Sequence, residues 1–355
     1  MEEKIKVYIN LKYDENSIWK YQNNQLSYET EHETKFLDVS QGITVKNLPK
    51  LFDSFNKKIH SDLIEKIVDN FLNKKDTTVF AYGQTGSGKT FILSGKDIAD
   101  SKQVGIVETT IEKLFDSFDS LSISIFEIYN ERVYDVSNAR KEIKMFTKSD
   151  GYAYLKNIET RKCKSISETQ EFYKNALINR RTSSTEFNLN SSRSHLVVQI
   201  KNDSNLINFI DLAGSEKATT EAERKCEGRY INTSLLALGN VVNSYVKKEK
   251  PKFRDSKLTR ILQESFESGA NIIALCMINP LKHHISDSVS TINFAARLAN
   301  INVIKKTEEN TYDLEFIIDE YKCSEMMIAC FEDYENTISY YRNYIKKLKN
   351  HINKV

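Results

Sequence analysis

Short apolar runs alternate along the chain with segments of helical period. The runs have the length of β-strands and cover residues 5–11, 78–82, 121–129, 196–201, 206–212 and 271–278. Between them, apolar residues recur every three or four positions over 63–71, 107–118 and 231–245, which is the period of an amphipathic helix. Strands that alternate with helices predict an α/β fold, with a central sheet that is mixed but mostly parallel and has helices on both faces.

The pattern changes near residue 300. Residues 301–311 are polar and charged, and no strand-like run follows them. This predicts a domain over 1–300, a linker over 301–311 and a helical segment over 312–355. In that last segment apolar residues are spaced alternately by four and three, at Phe331, Tyr334, Ile338, Tyr341, Ile345, Leu348 and Ile352. The spacing is a heptad seam, which indicates either a coiled coil that forms a homodimer or one amphipathic helix that folds back on the domain.

Composition and charge narrow the class of protein. With 355 residues, of which 40% are hydrophobic, the chain can bury a real core and is not expected to be disordered. Lys and Arg number 51 and Asp and Glu 49, so the net charge of +2 gives no reason to expect a nucleic acid partner. There is no apolar run of about 18 residues that could span a membrane and no secretory signal, so we expect a soluble protein of the cytosol or nucleus.

A glycine-rich segment carries the strongest chemical signal. Residues 83–90 read G-Q-T-G-S-G-K-T and satisfy G-x-x-x-x-G-K-T between an apolar strand and a helical segment, which predicts a P-loop. Glycines let backbone N–H groups wrap around a phosphate. Lys89 is expected to reach the β- and γ-phosphates, and the Thr90 hydroxyl to bind Mg²⁺. The predicted phosphate-binding residues are Gly83, Gln84, Thr85, Gly86, Ser87, Gly88, Lys89 and Thr90.

Two further motifs follow the P-loop, N-L-N-S-S-R-S-H at 188–195 and D-L-A-G-S-E at 211–216. The hydroxyl of Ser192 can join Thr90 as a ligand of Mg²⁺, and Asp211, at the end of an apolar strand, can hold a metal-bound water. The Ser191 hydroxyl can bond the γ-phosphate. Gly214 lets the backbone approach the γ-phosphate, so that the presence or absence of this phosphate can move the loop.

These motifs, in this order, resemble switch I (N-x-x-S-S-R-S-H) and switch II (D-L-A-G-S-E) of the kinesins. The resemblance extends over about residues 5–303, with further matches at 129–135 and 253–262. It implies a P-loop motor domain that binds ATP and Mg²⁺, hydrolyses ATP and moves along microtubules. In kinesins the residues matching Arg193 and Glu216 form an ion pair that closes the two switches and relays a proton from the attacking water. The alternative is an ordinary structural salt bridge.

The strand expected to contact the base departs from the kinesin pattern. Kinesins carry R-x-R-P there, whereas the matching positions here are Asn10, Lys12 and Tyr13. Lys12 and Asn188 are still assigned to nucleotide binding by the resemblance. Phe91, directly after Thr90, is expected to stack on the adenine, with Tyr13 able to stack on its other side.

Cations cluster late in the domain, at Lys247, Lys248, Lys250, Lys252, Arg254, Lys257 and Arg260. The last three are spaced by three residues, which predicts that they share one face of a helix beginning near Asp255. The resemblance implies that this loop and helix meet the acidic surface of tubulin, and clustered cations favour such association. The lysine run by itself favours a solvated loop, but its position between the helical segment 235–245 and Arg254 favours the binding interpretation.

The order of the domain and the linker resembles the order in plus-end-directed kinesins. The sequences of the motifs resemble those of the mitotic centromere-associated kinesins. The expected location is the cytoplasm, on the microtubule cytoskeleton and its spindle form. Two alternatives remain. Myosins share the P-loop and N-x-x-S-S-R, but continue with an aromatic residue and Gly where this chain has Ser194 and His195. A microtubule-binding module with weak catalysis is favoured only by the altered base-binding strand.

Overall fold

The computed structural model describes residues 3–12, 15–22, 25–29, 34–37, 43–47, 61–98, 101–186, 193–202, 205–216 and 228–303. The predicted segment 312–355, most of the predicted linker 301–311, and Asn188, Ser191 and Ser192 lie outside these residues.

The strands, in chain order, are β1 (Glu3–Lys4), β2 (Lys6–Leu11), β3 (Trp19–Gln22), β4 (Gln25–Glu29), β5 (Thr34–Leu37), β6 (Ile43–Asn47), β7 (Thr77–Gly83), β8 (Gly95–Ile98), β9 (Ser101–Val104), β10 (Leu121–Tyr129), β11 (Arg132–Asp135), β12 (Lys141–Ile143), β13 (Met145–Thr147), β14 (Ala153–Leu155), β15 (Arg161–Cys163), β16 (His195–Lys201), β17 (Leu206–Asp211), β18 (Asn271–Ile278) and β19 (Asn302–Val303). The helices are α1 (Ser61–Leu72), α2 (Lys89–Ser94), α3 (Ile106–Leu114), α4 (Ile166–Glu186), α5 (Gly228–Lys247), α6 (Lys257–Glu267) and α7 (Ile285–Ala299). Two 3₁₀ turns lie at Phe253–Asp255 and Lys282–His284.

A mixed sheet forms the centre of the domain, with the strand order β12-β11-β10-β16-β17-β7-β18-β2-β6 and β15 paired to β10. The strands from β17 to β6 pair in parallel, and the remaining pairs are antiparallel. The long apolar runs of the sequence form its middle strands, because strands covered on both faces need apolar residues at every position. The carboxyl ends of β7 and β17 lie side by side, with Ala81 opposite Asp211.

Each face of the sheet packs against its own set of helices. Phe80 belongs to a buried cluster with residues of α5, α6 and α7. Its neighbours Val79 and Ala81 point to the opposite face and belong to a cluster with residues of α1, α2, α3 and α4. This alternation is the period of two expected along a strand. The predicted α/β architecture, with helices on both faces of a mixed sheet, is therefore confirmed.

Smaller elements surround the sheet. The strands β3, β4 and β5 form an antiparallel sheet of their own, β8 pairs with β9, and β13 pairs with β14. The first and last described strands also pair, with Glu3 opposite Val303 and Lys4 opposite Asn302. Among the described helices, none combines the length and the apolar character that crossing a bilayer requires.

Candidate functional site

The P-loop connects β7 to α2 and needs glycine at three positions. Gly86 has φ 78° and Gly88 has φ 101°, both in the left-handed region that favours glycine. At Gly83, a Cβ would lie 2.3 Å from the carbonyl oxygen of Met277 on the neighbouring strand β18. The backbone thus bends sharply against the sheet and leads into the amino end of α2, the arrangement that binds phosphate groups.

Lys89, the first residue of α2, is buried inside the loop. Its Nζ atom donates to the carbonyl oxygens of Gly83 at 2.8 Å and Gln84 at 2.9 Å. The Ser87 hydroxyl also donates to the Gln84 carbonyl at 2.7 Å, which closes the turn. Burial lowers the pKa of the Lys89 ammonium, and the nearby carboxylates of Asp211 and Glu216 oppose that shift. The backbone carbonyl groups of the P-loop therefore hold the Lys89 ammonium in place.

Two of the three predicted magnesium ligands lie in contact. The Thr90 hydroxyl donates to the Oδ2 atom of Asp211 at 2.6 Å, because the start of α2 and the end of β17 meet at one edge of the sheet. The Oδ1 atom of Asp211 is buried and has no hydrogen-bond partner in the described structure. A carboxylate oxygen and a hydroxyl are ligands that Mg²⁺ prefers. Among the described residues these two groups are the candidate ligands, and no cluster of three His, Cys, Asp or Glu accompanies them.

Switch II lies directly against the P-loop. The Ser215 N–H donates to the Gly83 carbonyl at 3.1 Å. The Glu216 carboxylate accepts the Thr85 N–H at 2.8 Å and also accepts from the Thr85 hydroxyl. A Cβ at Gly214 would lie 2.4 Å from the Thr85 hydroxyl and both Glu216 oxygens, so a larger residue there would have to displace these side chains from each other. Thr85 is thus the P-loop residue that joins the two motifs, a role that the sequence motif did not predict.

The predicted pairing of Arg193 with Glu216 stays a prediction. Arg193 is part-buried at the start of the described segment 193–202. In the described structure Glu216 instead faces Thr85 through both carboxylate oxygens.

A buried ionic network behind switch I was missed by the sequence analysis. Arg180, on α4, contacts the Glu127 carboxylate at 3.3 Å and Asp211 at 3.7 Å. Ser194 donates to Glu127, and Arg140 lies 2.9 Å from its other oxygen. Burial opposes ionisation of Glu127, yet Arg180, Ser194 and Arg140 together hold its pKa below the ordinary value. One signal was available in the sequence, because Glu127 is the only charged residue in the apolar run 121–129.

The residues that depart from the kinesin pattern lie on β2 and directly after it. Lys12 donates through Nζ to the Gly86 carbonyl at 3.3 Å, which brings this predicted residue to the P-loop. Asn10 is fully buried, and neither atom of its amide has a hydrogen-bond partner in the described structure. Phe91 is part-buried on α2, whereas Tyr13 and Asn188 lie outside the described residues.

The predicted cationic residues are mostly exposed, but the predicted helix begins later than expected. Lys247 ends α5, and the exposed residues Lys248, Lys250, Lys252 and Arg254 follow it. Arg254 belongs to the 3₁₀ turn and not to α6. The prediction that it shares one helical face with Lys257 and Arg260 is therefore wrong. The reason is Ser256, whose extended backbone interrupts the spacing and whose hydroxyl accepts the Thr259 N–H at 3.0 Å as the helix cap.

Comparisons with known proteins agree with this geometry. The family model for the kinesin motor domain matches residues 2–301. The chain is 32% identical to kinesin-like protein KIN-7N of Arabidopsis thaliana over 329 residues, 82% of this chain and 38% of that protein. It is 35% identical to the kinesin heavy chain of Syncephalastrum racemosum over 281 residues, 72% of this chain and 30% of that protein.

The fold is also similar to that of a solved structure described as a fast kinesin. The TM-score is 0.75 at 26% identity, over 88% of this chain and 96% of that one. Since the matched regions are 38% and 30% of the two relatives, the chain spans well under half the length of these curated proteins. The similarities favour the kinesin interpretation over the myosin-like one.

Proposed function

Because the chain belongs to the kinesin motor domain family, we propose that it hydrolyses MgATP and uses the cycle to move along microtubules. The observation that carries the proposal is the contact of switch II with the P-loop. Glu216 bonds Thr85, and Ser215 bonds Gly83, so the two loops meet where a terminal phosphate would lie. A change at that phosphate would therefore be felt by both loops.

In this proposal the chain's own residues bind and orient the nucleotide. The P-loop amides and Lys89 hold the phosphates, and Thr90 and Asp211, together with Ser192, hold Mg²⁺. The bound Mg²⁺ neutralises charge on the phosphate oxygens. Lys12 and Phe91 lie on the two segments that would flank the base.

Hydrolysis requires an oriented water more than covalent help from the protein. We assign that role to switch I and switch II. Ser191 would bond the γ-phosphate, and Arg193 with Glu216 would orient the water and pass on its proton. Gly214 gives the backbone room to approach, since a Cβ there would have to displace the Thr85 hydroxyl and the Glu216 carboxylate.

The cationic surface is proposed as the microtubule-binding face. It follows α5, which starts after switch II at Gly228 and ends at Lys247. A long helix between the two regions can carry a displacement of switch II to the loop and to α6. Tubulin presents an acidic surface, so we expect salt-sensitive association through these lysines and arginines.

We propose the division into a motor domain over 1–300, a neck linker over 301–311 and a helical neck over 312–355. The heptad spacing favours a homodimer, and the order of domain and linker favours movement toward the plus end. The proposed location is the cytoplasm, on microtubules and the spindle. A gliding assay on polarity-marked microtubules tests direction, and movement toward the minus end would overturn that part.

The ATPase rate with and without polymerised tubulin tests the main proposal. We expect stimulation of at least tenfold, because track binding accelerates the cycle of such motors. An unchanged basal rate would support the microtubule-binding module with weak catalysis. Comparing ATP with GTP in the same assay tests the base site.

Glu216→Ala tests the switch assignment. We expect an ATP-bound state that binds nucleotide but turns over at least a hundredfold more slowly, in line with the loss of a group that orients a reacting water. Glu142→Ala, at an exposed carboxylate on β12 outside the cationic surface, is the control for loss of a carboxylate. Normal turnover in Glu216→Ala would remove the role given to this residue.

A further inference from the structure

The hairpin between β10 and β11 has a strained turn. Tyr129 pairs with Arg132, so Asn130 and Glu131 alone form the loop. Their φ angles are 49° and 58°, both in the left-handed region that a two-residue hairpin of this type requires. Asn tolerates this region well, but Glu does so poorly. A residue held in an unfavourable conformation suggests that its side chain is needed there.

The Glu131 side chain reaches another part of the fold. Its Oε2 atom accepts the backbone N–H of Lys257 at 2.6 Å, although the two residues are 126 positions apart. Lys257 is the first residue of α6, and the first N–H groups of a helix have no partner within the helix. A carboxylate is favoured at that end, where the helix dipole is positive. Glu131 therefore caps α6 from outside, beside the Ser256 cap.

We propose that Glu131 is a positioning residue that holds α6 in place for microtubule binding, an inference that rests on the function proposed above. The carboxylate fixes the backbone of Lys257, whose side chain belongs to the cationic surface. One turn later, Arg260 donates through Nη2 to the Thr147 hydroxyl on β13 at 2.6 Å. Two hairpins thus hold the first turn of α6, and both belong to the segment 121–155.

The hairpin that caps α6 is itself anchored near the nucleotide. Glu127 lies on β10, four residues before Glu131 in the turn, and its carboxylate contacts Arg180. Arg180 in turn lies 3.7 Å from Asp211 at the proposed magnesium site. The strand β10 therefore bears Glu127, which belongs to the buried ionic network behind switch I. It also leads into the turn that bears Glu131, which caps α6.

Electrostatics and capping predict opposite effects when Glu131 is removed. Loss of a negative charge beside a cationic surface, by itself, would strengthen binding to acidic tubulin and lower the KM for polymer. Loss of the cap would release the first turn of α6 and spread its cations over several positions, which raises the KM. The direction of the change in KM therefore distinguishes the electrostatic effect from the loss of the cap.

The test uses the full chain with Glu131→Gly, because glycine adopts the left-handed turn without strain and protects folding. We expect the KM for polymerised tubulin to rise about three- to tenfold, in line with the loss of a helix cap, with basal turnover unchanged. Glu131→Gln keeps an acceptor and should restore most of the loss. The control is Glu142→Ala on β12, an exposed carboxylate of the same sheet edge that lies 3.5 Å from Arg132.

A KM that is unchanged or lower in Glu131→Gly would overturn the inference. Hydrogen exchange of the first turn of α6 provides a second measurement that does not need tubulin. We expect faster exchange of the Lys257 and Leu258 amides in Glu131→Gly than in the wild type, and equal rates would contradict the cap. If polymer fails to stimulate the wild type, the proposed function fails, while the exchange rates still decide whether Glu131 holds the helix.

Discussion

The Nε2 atom of His195 lies 2.7 Å from the hydroxyl oxygen of Ser234, which joins the first residue of β16 to α5. The Nδ1 atom of the same ring accepts the Ala213 N–H at 2.9 Å, so the ring proton lies on Nε2 and is donated to Ser234. One neutral imidazole therefore bonds the end of switch I to the beginning of switch II and to the helix that follows it.

The buried imidazole makes stability depend on pH. Burial, with smaller contributions from Arg180 and Lys89, lowers the pKa of His195 to about 3. The unfolded chain binds a proton near pH 6.5, whereas the folded chain does not until about pH 3. Above pH 6.5 the imidazole is neutral in both states and does not lower the free energy of unfolding. As the pH falls from there toward 3, the free energy of unfolding decreases by up to about 1.4 kcal/mol per pH unit.

We expect the free energy of unfolding to fall more steeply between pH 6.5 and 5 in the wild type than in His195→Gln, as measured by urea denaturation. The exposed His283→Ala is the control and should keep the wild-type slope. Parallel curves for wild type and His195→Gln would show that His195 does not remain neutral in the folded chain.

The contact between Thr90 and Asp211 predicts a specific magnesium dependence. Thr90→Ala removes the hydroxyl ligand, and we expect the Mg²⁺ concentration for half-maximal ATPase to rise by about tenfold or more. Thr90→Ser keeps the hydroxyl and should behave as the wild type. Equal Mg²⁺ dependence of the alanine and serine variants would exclude Thr90 as a ligand.

A row of hydrogen-bonded polar side chains, buried except for the half-buried Gln199, crosses the sheet to α6. Gln199 donates to Asn208 at 2.8 Å, Asn208 donates to Thr78 at 3.1 Å, and the Thr78 and Ser265 hydroxyls lie 2.7 Å apart. Thr78→Val keeps the shape but leaves two buried groups without a partner. We expect a loss of about 1–3 kcal/mol in the free energy of unfolding.

Thr77→Val provides the matched control on the same strand. The Thr77 hydroxyl is buried and has no hydrogen-bond partner within the described ranges, so its loss should be neutral or stabilising. Denaturant midpoints of the two variants measure the difference. Similar destabilisation by both would mean that the polar row contributes nothing beyond packing.

The unsatisfied amide of Asn10 gives a prediction of opposite sign. Asn10→Leu replaces a buried polar group by an apolar one of similar volume, and we expect the free energy of unfolding to rise by about 1–2 kcal/mol. Thermal unfolding without nucleotide measures this. A lower midpoint, together with a raised KM for ATP, would instead assign the amide to the base.

The sequence predicted the large elements well because each has a local signal. The apolar runs correspond to β2, β7, β10, β16, β17 and β18, with ends that differ by at most one residue. The P-loop prediction is accurate in placement, since its strand, glycines and helix are contiguous in the chain. The small hairpins β8–β9 and β13–β14 were missed, as was α4, whose apolar residues have a weak helical period.

The contacts between distant segments could not be predicted from spacing. Glu127 and Arg180 are 53 residues apart, and Thr85 and Glu216 are 131 apart. Only the folded sheet brings them together. The start of α6 was misjudged because a three-residue spacing does not reveal the extended backbone of Ser256.

The pairing of Glu3 and Lys4 with Val303 and Asn302 has a practical consequence for single-molecule work. A purification tag or fluorophore joined ahead of Glu3 would crowd this strand pair and, under the proposed motor function, would disturb the movement that it is meant to report. The exposed turn at Asp116 and Ser117 lies between α3 and β10, belongs to neither of these two strands, and is the better attachment point.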